Sequence, residues 1–104
     1  MNASSDAVVI VGAKRTAIGA FQGQFAALSS PQLASAAIAA AMQQAQTNGD
    51  DVSEAILGCV LPAGVGQAPA RQAVLGAGLP NSLPCTTINK VCGSAMKVTM
   101  VGYD

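Results

Sequence analysis

Short apolar runs alternate with segments of helical spacing along the chain, and this alternation constrains the fold more than any other feature. Residues 7–11 form a continuous apolar, β-branched run that Gly12 closes. Residues 55–61 form a second such run before Pro62, and residues 86–89, with the sequence TTIN, are a third strand candidate. Runs of this kind are typical of strands that are covered on both faces. Because short connections join them to helical segments, we predict an α/β unit with a mostly parallel sheet.

The first helix is predicted from Ser30 and Pro31, a favourable N-cap and first-turn pair. Apolar residues then recur at helical spacing until Asn48, and most of them are alanine. Such a stripe allows the neighbouring element to approach closely. A second, shorter helix is predicted over residues 70–78. It contains Arg71, which binds either an anion or a backbone carbonyl, and we favour the carbonyl.

Composition excludes several classes of function. The net charge is zero, the five basic residues are scattered and aromatic residues make up 3%, so nucleic acid is not an expected partner. Apolar runs fall well short of the roughly 20 residues that a spanning helix needs, so we expect no membrane segment. No basic region precedes the first apolar run, which indicates no secretory signal and predicts a cytoplasmic location.

Charged residues make up only 10% of the chain, against about 25–35% on the surface of a well-solvated monomer. We therefore expect much of the surface to be covered by other protein, and interpret the chain as a subunit or a piece of one. Three cysteines at irregular spacing and the absence of histidine argue against a metal site. The glycine patterns match neither a Walker loop nor a dinucleotide fingerprint, so no bound cofactor is predicted.

The stretch TINKVCGSAMK changes from strand-like to helix-like periodicity at Cys92. From Gly93 to Gly102 nearly every residue is small or apolar, which predicts a helix buried on all sides. Unpaired N–H groups and the positive end of the helix dipole would then face the sulfur. A helix N-terminus stabilises the nucleophilic thiolate, and its N–H groups can hold the oxygen of an acyl group. Cys92 is therefore a candidate catalytic nucleophile.

A second interpretation of Cys92 is purely structural, as a small residue that fits a tight helix start. Cysteine nucleophiles normally work with a base, usually histidine, and this chain contains none. If Cys92 is catalytic, its site is incomplete within this chain.

Three stretches together resemble one family: VVIVGAKRTAIGAFQG, LGCVLPAGVGQAPARQA and TTINKVCGSAMK. They resemble the N-terminal segment of the thiolases, specifically the biosynthetic acetyl-CoA acetyltransferase branch. The resemblance implies a layered αβαβα architecture, of which residues 1–104 form an incomplete N-terminal part. It also implies that Cys92 becomes acylated and that its own N–H contributes to an oxyanion hole. Ala95 stands where close relatives commonly have glycine, which tightens the helix start but leaves the thiol in place.

The activity implied by the resemblance is reversible condensation of two acetyl-CoA to acetoacetyl-CoA and CoA, with CoA thioesters as substrates and no other cofactor. Family members are homodimers or homotetramers. The family's base and acid, a C-terminal histidine and a second cysteine, are expected outside a chain that ends at Asp104. Two alternatives stay open: a catalytically incomplete fragment with a structural or assembly role, and a 3-ketoacyl-CoA thiolase of fatty-acid degradation.

Overall fold

The structure is a computed structural model that describes residues 7–104. Helices and strands alternate along the chain from residue 30 onward. In chain order they are α1 (Ser30–Ala45), β1 (Ala55–Gly58), α2 (Pro69–Gly76), β2 (Cys85–Ile88) and α3 (Ser94–Tyr103), with a 3-10 turn (Gly49–Asp51) between α1 and β1.

The two strands form a parallel pair, in which Ala55 lies opposite Cys85 and Gly58 lies opposite Ile88. Because α2 connects them, the unit is a β-α-β crossover, as the sequence pattern predicted. The strand predicted over residues 55–61, which is β1, is shorter than predicted. Regular pairing ends at Gly58, and one further hydrogen bond joins the Cys59 N–H to the Ile88 carbonyl at 2.9 Å.

The strand predicted over residues 7–11 is wrong: no strand occurs there among residues 7–104. The side chains of this run are exposed, and that of Ile10 is 85% exposed. A β-branched run becomes a strand only when its backbone pairs with another strand, and this run pairs with neither β1 nor β2. The chain after it is joined to α1 instead, where the Ala13 N–H donates to Gln44 Oε1 at 2.7 Å.

The predicted first helix is confirmed, with its N-cap one residue earlier than expected. Ser29 Oγ accepts from the Gln32 N–H at 3.3 Å, and the Gln32 side chain accepts from the Ser29 N–H at 2.8 Å. This reciprocal pair is a capping box. The helix ends before Asn48, because Gln46 adopts a left-handed conformation with φ of 53°.

Small residues join α1 to α2, as the alanine stripe predicted. Ser35 Oγ of α1 donates to the Ala73 carbonyl of α2 at 2.7 Å. A side chain at Gly76 would collide with the same hydroxyl, so the two helices require glycine at this position. The buried apolar core lies at this contact and beside it, and consists of Ala70, Ala73, Val74 and Leu83.

Two side chains attach α2 to its surroundings. Ala68, the N-cap residue of α2, has no side chain that can cap the helix, and Thr87 Oγ1 of β2 accepts from the Ala70 N–H at 3.1 Å instead. The Arg71 guanidinium donates to the carbonyls of Leu83, at 2.9 Å, and Asn81. Arg71 therefore has the structural role that the sequence favoured.

Replacing Thr87 by valine should destabilise the protein by about 1 kcal/mol, because the N–H of Ala70 then loses its acceptor while the side-chain volume is kept. Urea denaturation of the protein at its full native length measures this change. Thr86 lies beside it on β2 with its side chain exposed, so T86V is the matched control and should change the free energy of unfolding by less than about 0.5 kcal/mol. Equal effects of the two variants would contradict the capping role.

The prediction that α3 is buried on all sides is wrong for this structure. Ser94 at its start is buried, but the side chain of Met96 is 72% exposed and Met100 and Tyr103 are exposed as well. The reason is that a sheet of two strands covers only one side of the helix. No helix in residues 7–104 combines the length and apolar character needed to span a membrane.

Candidate active site

Cys92 lies in the short link between the end of β2 and the start of α3, as the change in periodicity predicted. β2 ends at Ile88 and α3 begins at Ser94, with Gly93 as its N-cap residue. The Cys92 side chain is exposed and its thiol is free. The strand therefore delivers the thiol to solvent at the N-terminal end of a helix.

The residue before the cysteine is strained. Val91 has φ of 49°, a left-handed conformation that is a genuine outlier for a β-branched side chain. Such conformations cost about 1–3 kcal/mol and persist only where the surroundings hold them. They also cluster at active sites, which favours the functional interpretation of Cys92 over the structural one.

Side chains on both sides hold the backbone of Val91. Its N–H donates to Asn89 Oδ1 at 3.0 Å, and its carbonyl accepts from Ser94 Oγ at 2.6 Å. Ser94 Oγ also accepts from the Lys90 N–H at 2.8 Å. Sequence reasoning missed Asn89 and Ser94, although Asn two residues before a turn residue is a signal for a local side-chain-to-backbone hydrogen bond.

Some of the backbone N–H groups at the start of α3 are already paired with protein acceptors. The N–H of Gly93 donates to the Lys90 carbonyl at 3.0 Å, and that of Ser94 donates to the Val91 carbonyl at 3.2 Å. Among the described residues, the N–H groups of Cys92, Ala95 and Met96 donate to no protein acceptor. These three groups are the ones open to a ligand beside the sulfur.

The start of α3 lies directly against β1. A Cβ on Gly58 would stand 2.8 Å from Ser94 Cβ and 3.1 Å from the Ala95 nitrogen, so only glycine fits there. Ser94 is 6% exposed at this contact. In addition, Asn89 Nδ2 donates to the Val60 carbonyl at 3.3 Å. The segment that carries Cys92 is therefore fixed against the end of β1 at two points.

An open hollow of about 210 Å³ lies along the first turns of α3, and Cys92 is a sequence neighbour of its lining residue Gly93 rather than part of its wall. Its walls combine two basic side chains with two thioether side chains: they are formed by Lys90, Gly93, Met96, Lys97 and Met100. A hollow of this composition can accept a ligand that is partly apolar and partly anionic.

The other two cysteines differ from Cys92 in exposure. Cys59 and Cys85 are half-buried, and Cys85 Sγ lies 3.3 Å from the Leu83 carbonyl oxygen. All three thiols are free. Residues 7–104 contain no group of three or more side chains placed to hold a metal ion.

Comparison with known proteins identifies the family to which the chain belongs. Residues 8–103 match the family described as thiolase, N-terminal domain. The chain therefore belongs to the thiolase family, as its three motifs indicated.

Similar individual proteins carry acetyltransferase names. The chain is 56% identical to the mitochondrial acetyl-CoA acetyltransferase of Homo sapiens over 94 residues, which are 90% of the chain and 22% of that protein. It is 52% identical to the acetyl-CoA acetyltransferase of Cupriavidus necator over 97 residues, which are 93% of the chain and 25% of that protein. The chain thus spans about a quarter of the length of these relatives.

A solved structure supports the fold. The crystal structure of Acat5 thiolase from Ascaris suum in complex with coenzyme A aligns with a TM-score of 0.87 and 37% sequence identity, over 90% of this chain and 25% of that one. The predicted α/β, thiolase-like architecture is confirmed. The assignment of residues 1–104 to an incomplete N-terminal domain stays a prediction.

Proposed function

We propose that the chain is part of an acetyl-CoA C-acetyltransferase in which Cys92 is the nucleophile. One observation carries the proposal: Cys92 alone among the three thiols is exposed, and it stands at a helix start beside unpaired N–H groups. The names of the relatives above support the choice of acetyl-CoA as substrate.

In the first half-reaction, a base outside this chain takes the proton of the Cys92 thiol, the thiolate attacks the carbonyl carbon of acetyl-CoA, and the same proton is later passed to the departing CoA. The carbonyl oxygen becomes an oxyanion, which the N–H of Cys92 stabilises by donating a hydrogen bond; the absence of a protein acceptor for this N–H among the described residues supports that role. The C–S bond to CoA then breaks, and CoA leaves as a thiolate that takes up a proton. The product is acetyl-Cys92. Because one thioester replaces another, the step is readily reversible.

In the second half-reaction, a base removes a proton from the methyl group of another acetyl-CoA. The resulting enolate carbon attacks the acetyl group on Cys92, and the Cys92 thiolate leaves, which gives acetoacetyl-CoA. Thiolysis is the reverse sequence. The chain contains no histidine, so a base of that type must come from residues outside it.

The test is thiolysis by the protein at its full native length. We expect acetoacetyl-CoA and CoA to be converted to acetyl-CoA faster than 3-ketoacyl-CoA substrates with longer chains. Preference for the longer substrates would replace this proposal by the degradative thiolase. No turnover of any of these thioesters would favour a structural or assembly role.

Assembly, cofactor and location are part of the same proposal. A homodimer or homotetramer is included in the proposal, because residues 7–104 expose large apolar side chains, including those of Ile10, Phe21 and Met96, that the rest of a longer chain or another subunit would cover. CoA thioesters are the proposed small-molecule partners, with no resident cofactor and with neither nucleic acid nor membrane as a partner. A cytoplasmic location stays a prediction, and the similar proteins include mitochondrial ones.

A further inference from the structure

Ser94 is the one polar residue that is buried in the described part of the chain, and both of its side-chain hydrogen bonds go to the turn before Cys92. Its Oγ accepts from the Lys90 N–H and donates to the Val91 carbonyl. It therefore ties together the two residues that immediately precede the thiol. A serine needed only to fill space against Gly58 would not require either bond.

Because Val91 is strained, these hydrogen bonds are needed to keep its backbone in the left-handed conformation. A β-branched residue leaves the left-handed region readily unless other interactions hold it there. Asn89 holds the N–H of Val91, and the Ser94 side chain, together with the Ser94 N–H, holds its carbonyl, so the strained peptide is restrained from both ends. If Val91 relaxed toward negative φ, the chain direction at Cys92 would change and the sulfur would move away from the helix start.

We propose that Ser94 is a positioning residue for acyl transfer, which acts by holding Val91 in its left-handed conformation and thereby aiming Cys92. The inference rests on the proposed function and adds a residue that acts through the nucleophile rather than on the substrate. Asn89 supports the same conformation from the other side.

We predict that the effect of a substitution at Ser94 on kcat depends on the residue at position 91. In the protein at its full native length, S94A should lower kcat for thiolysis by about 10-fold with little change in KM, because a misplaced nucleophile slows chemistry more than binding. Glycine adopts the left-handed region freely, so S94A should lower kcat by less than about 3-fold in the V91G background. N89A, at an exposed position, should lower kcat as well, and V91G should rescue it less fully, because N89A also removes the hydrogen bond from Asn89 Nδ2 to the Val60 carbonyl.

The control is T99A, which removes another hydroxyl from α3. Thr99 is exposed, and its Oγ1 donates to the Ala95 carbonyl at 3.0 Å, away from the turn. We expect T99A to leave kcat unchanged. Thermal unfolding of each variant identifies any loss of fold.

Acetylation of Cys92 by acetyl-CoA, measured in the same variants, distinguishes a failure of the positioning role from a failure of the proposed function. If wild-type protein is acetylated at Cys92 and V91G fails to reduce the effect of S94A, the positioning role is overturned. The positioning role is also overturned if S94A and N89A both keep full kcat. If wild-type protein is not acetylated at Cys92, the proposed function itself fails. Rescue of S94A and partial rescue of N89A by V91G, with acetylation intact, support the proposal.

Discussion

Replacing Cys92 by serine is expected to lower the acyl-transfer rate of the full-length protein by about 10³-fold or more. Serine has nearly the same size, so the helix start keeps its packing. Its hydroxyl is a much weaker nucleophile at neutral pH, and an oxygen ester would release the acetyl group more slowly than a thioester. The measurement is kcat/KM for thiolysis of acetoacetyl-CoA, at equal amounts of folded protein.

The other two thiols provide the matched controls. C59S and C85S change half-buried sulfurs that do not lie at the start of a helix. We expect each to keep kcat/KM within about 3-fold, apart from any loss of folded protein. A C92S variant that retains a tenth of the wild-type rate, or a C59S or C85S variant that loses all activity while folded, would contradict the assignment of the nucleophile.

Replacing Gly58 by alanine is expected to lower kcat by about 100-fold and to destabilise the fold by about 1–3 kcal/mol. The added methyl group would stand 2.8 Å from Ser94 Cβ and 3.0 Å from the Ser94 carbonyl carbon, and real Cβ contacts are not that short. The start of α3 must therefore move away from β1. Because Cys92 lies two residues before Ser94, the nucleophile moves with it.

Gly102 is the matched control on the same helix, since a Cβ there meets no atom within 4 Å. We expect G102A to keep kcat and to be neutral or slightly stabilising, because alanine favours helix more than glycine does. Steady-state kinetics and urea denaturation of both variants provide the test. A fully active G58A protein would show that the contact between β1 and α3 does not position the thiol.

The elements that local sequence specifies were predicted well. α1 is determined by Ser29, Gln32 and Pro31 within one turn, and the only error was which of two adjacent serines caps it. β1 lies within an apolar run, and β2 (CTTI) lies within a run rich in β-branched residues that starts after Pro84. The position of Cys92 between strand and helix follows from a change in periodicity within a few residues.

Features that depend on distant residues could not be predicted. Residues 7–11 have the composition of a buried strand, but composition does not specify whether a pairing partner is present. The apolar character of α3 predicted burial, whereas the described residues cover only one of its sides. The contact between Gly58 and Ser94 joins positions far apart in sequence, and no periodicity connects them.

The arrangement around the nucleophile was also beyond sequence reasoning. A valine gives no signal for a left-handed conformation, because most valines avoid it. Only the structure shows that Asn89 and Ser94 together satisfy the polar groups of Val91. Sequence singled out Cys92 as a candidate, and the structure shows the hydrogen bonds that hold the turn before it.

The most direct test of the central claim is the intact mass of the full-length protein after brief incubation with acetyl-CoA and rapid acid quenching. We predict a gain of one acetyl group per chain, located by peptide mapping to Cys92 and absent from C92S. A protein that turns over acetoacetyl-CoA without acquiring this adduct, or that carries it on Cys59 or Cys85 instead, would contradict the account.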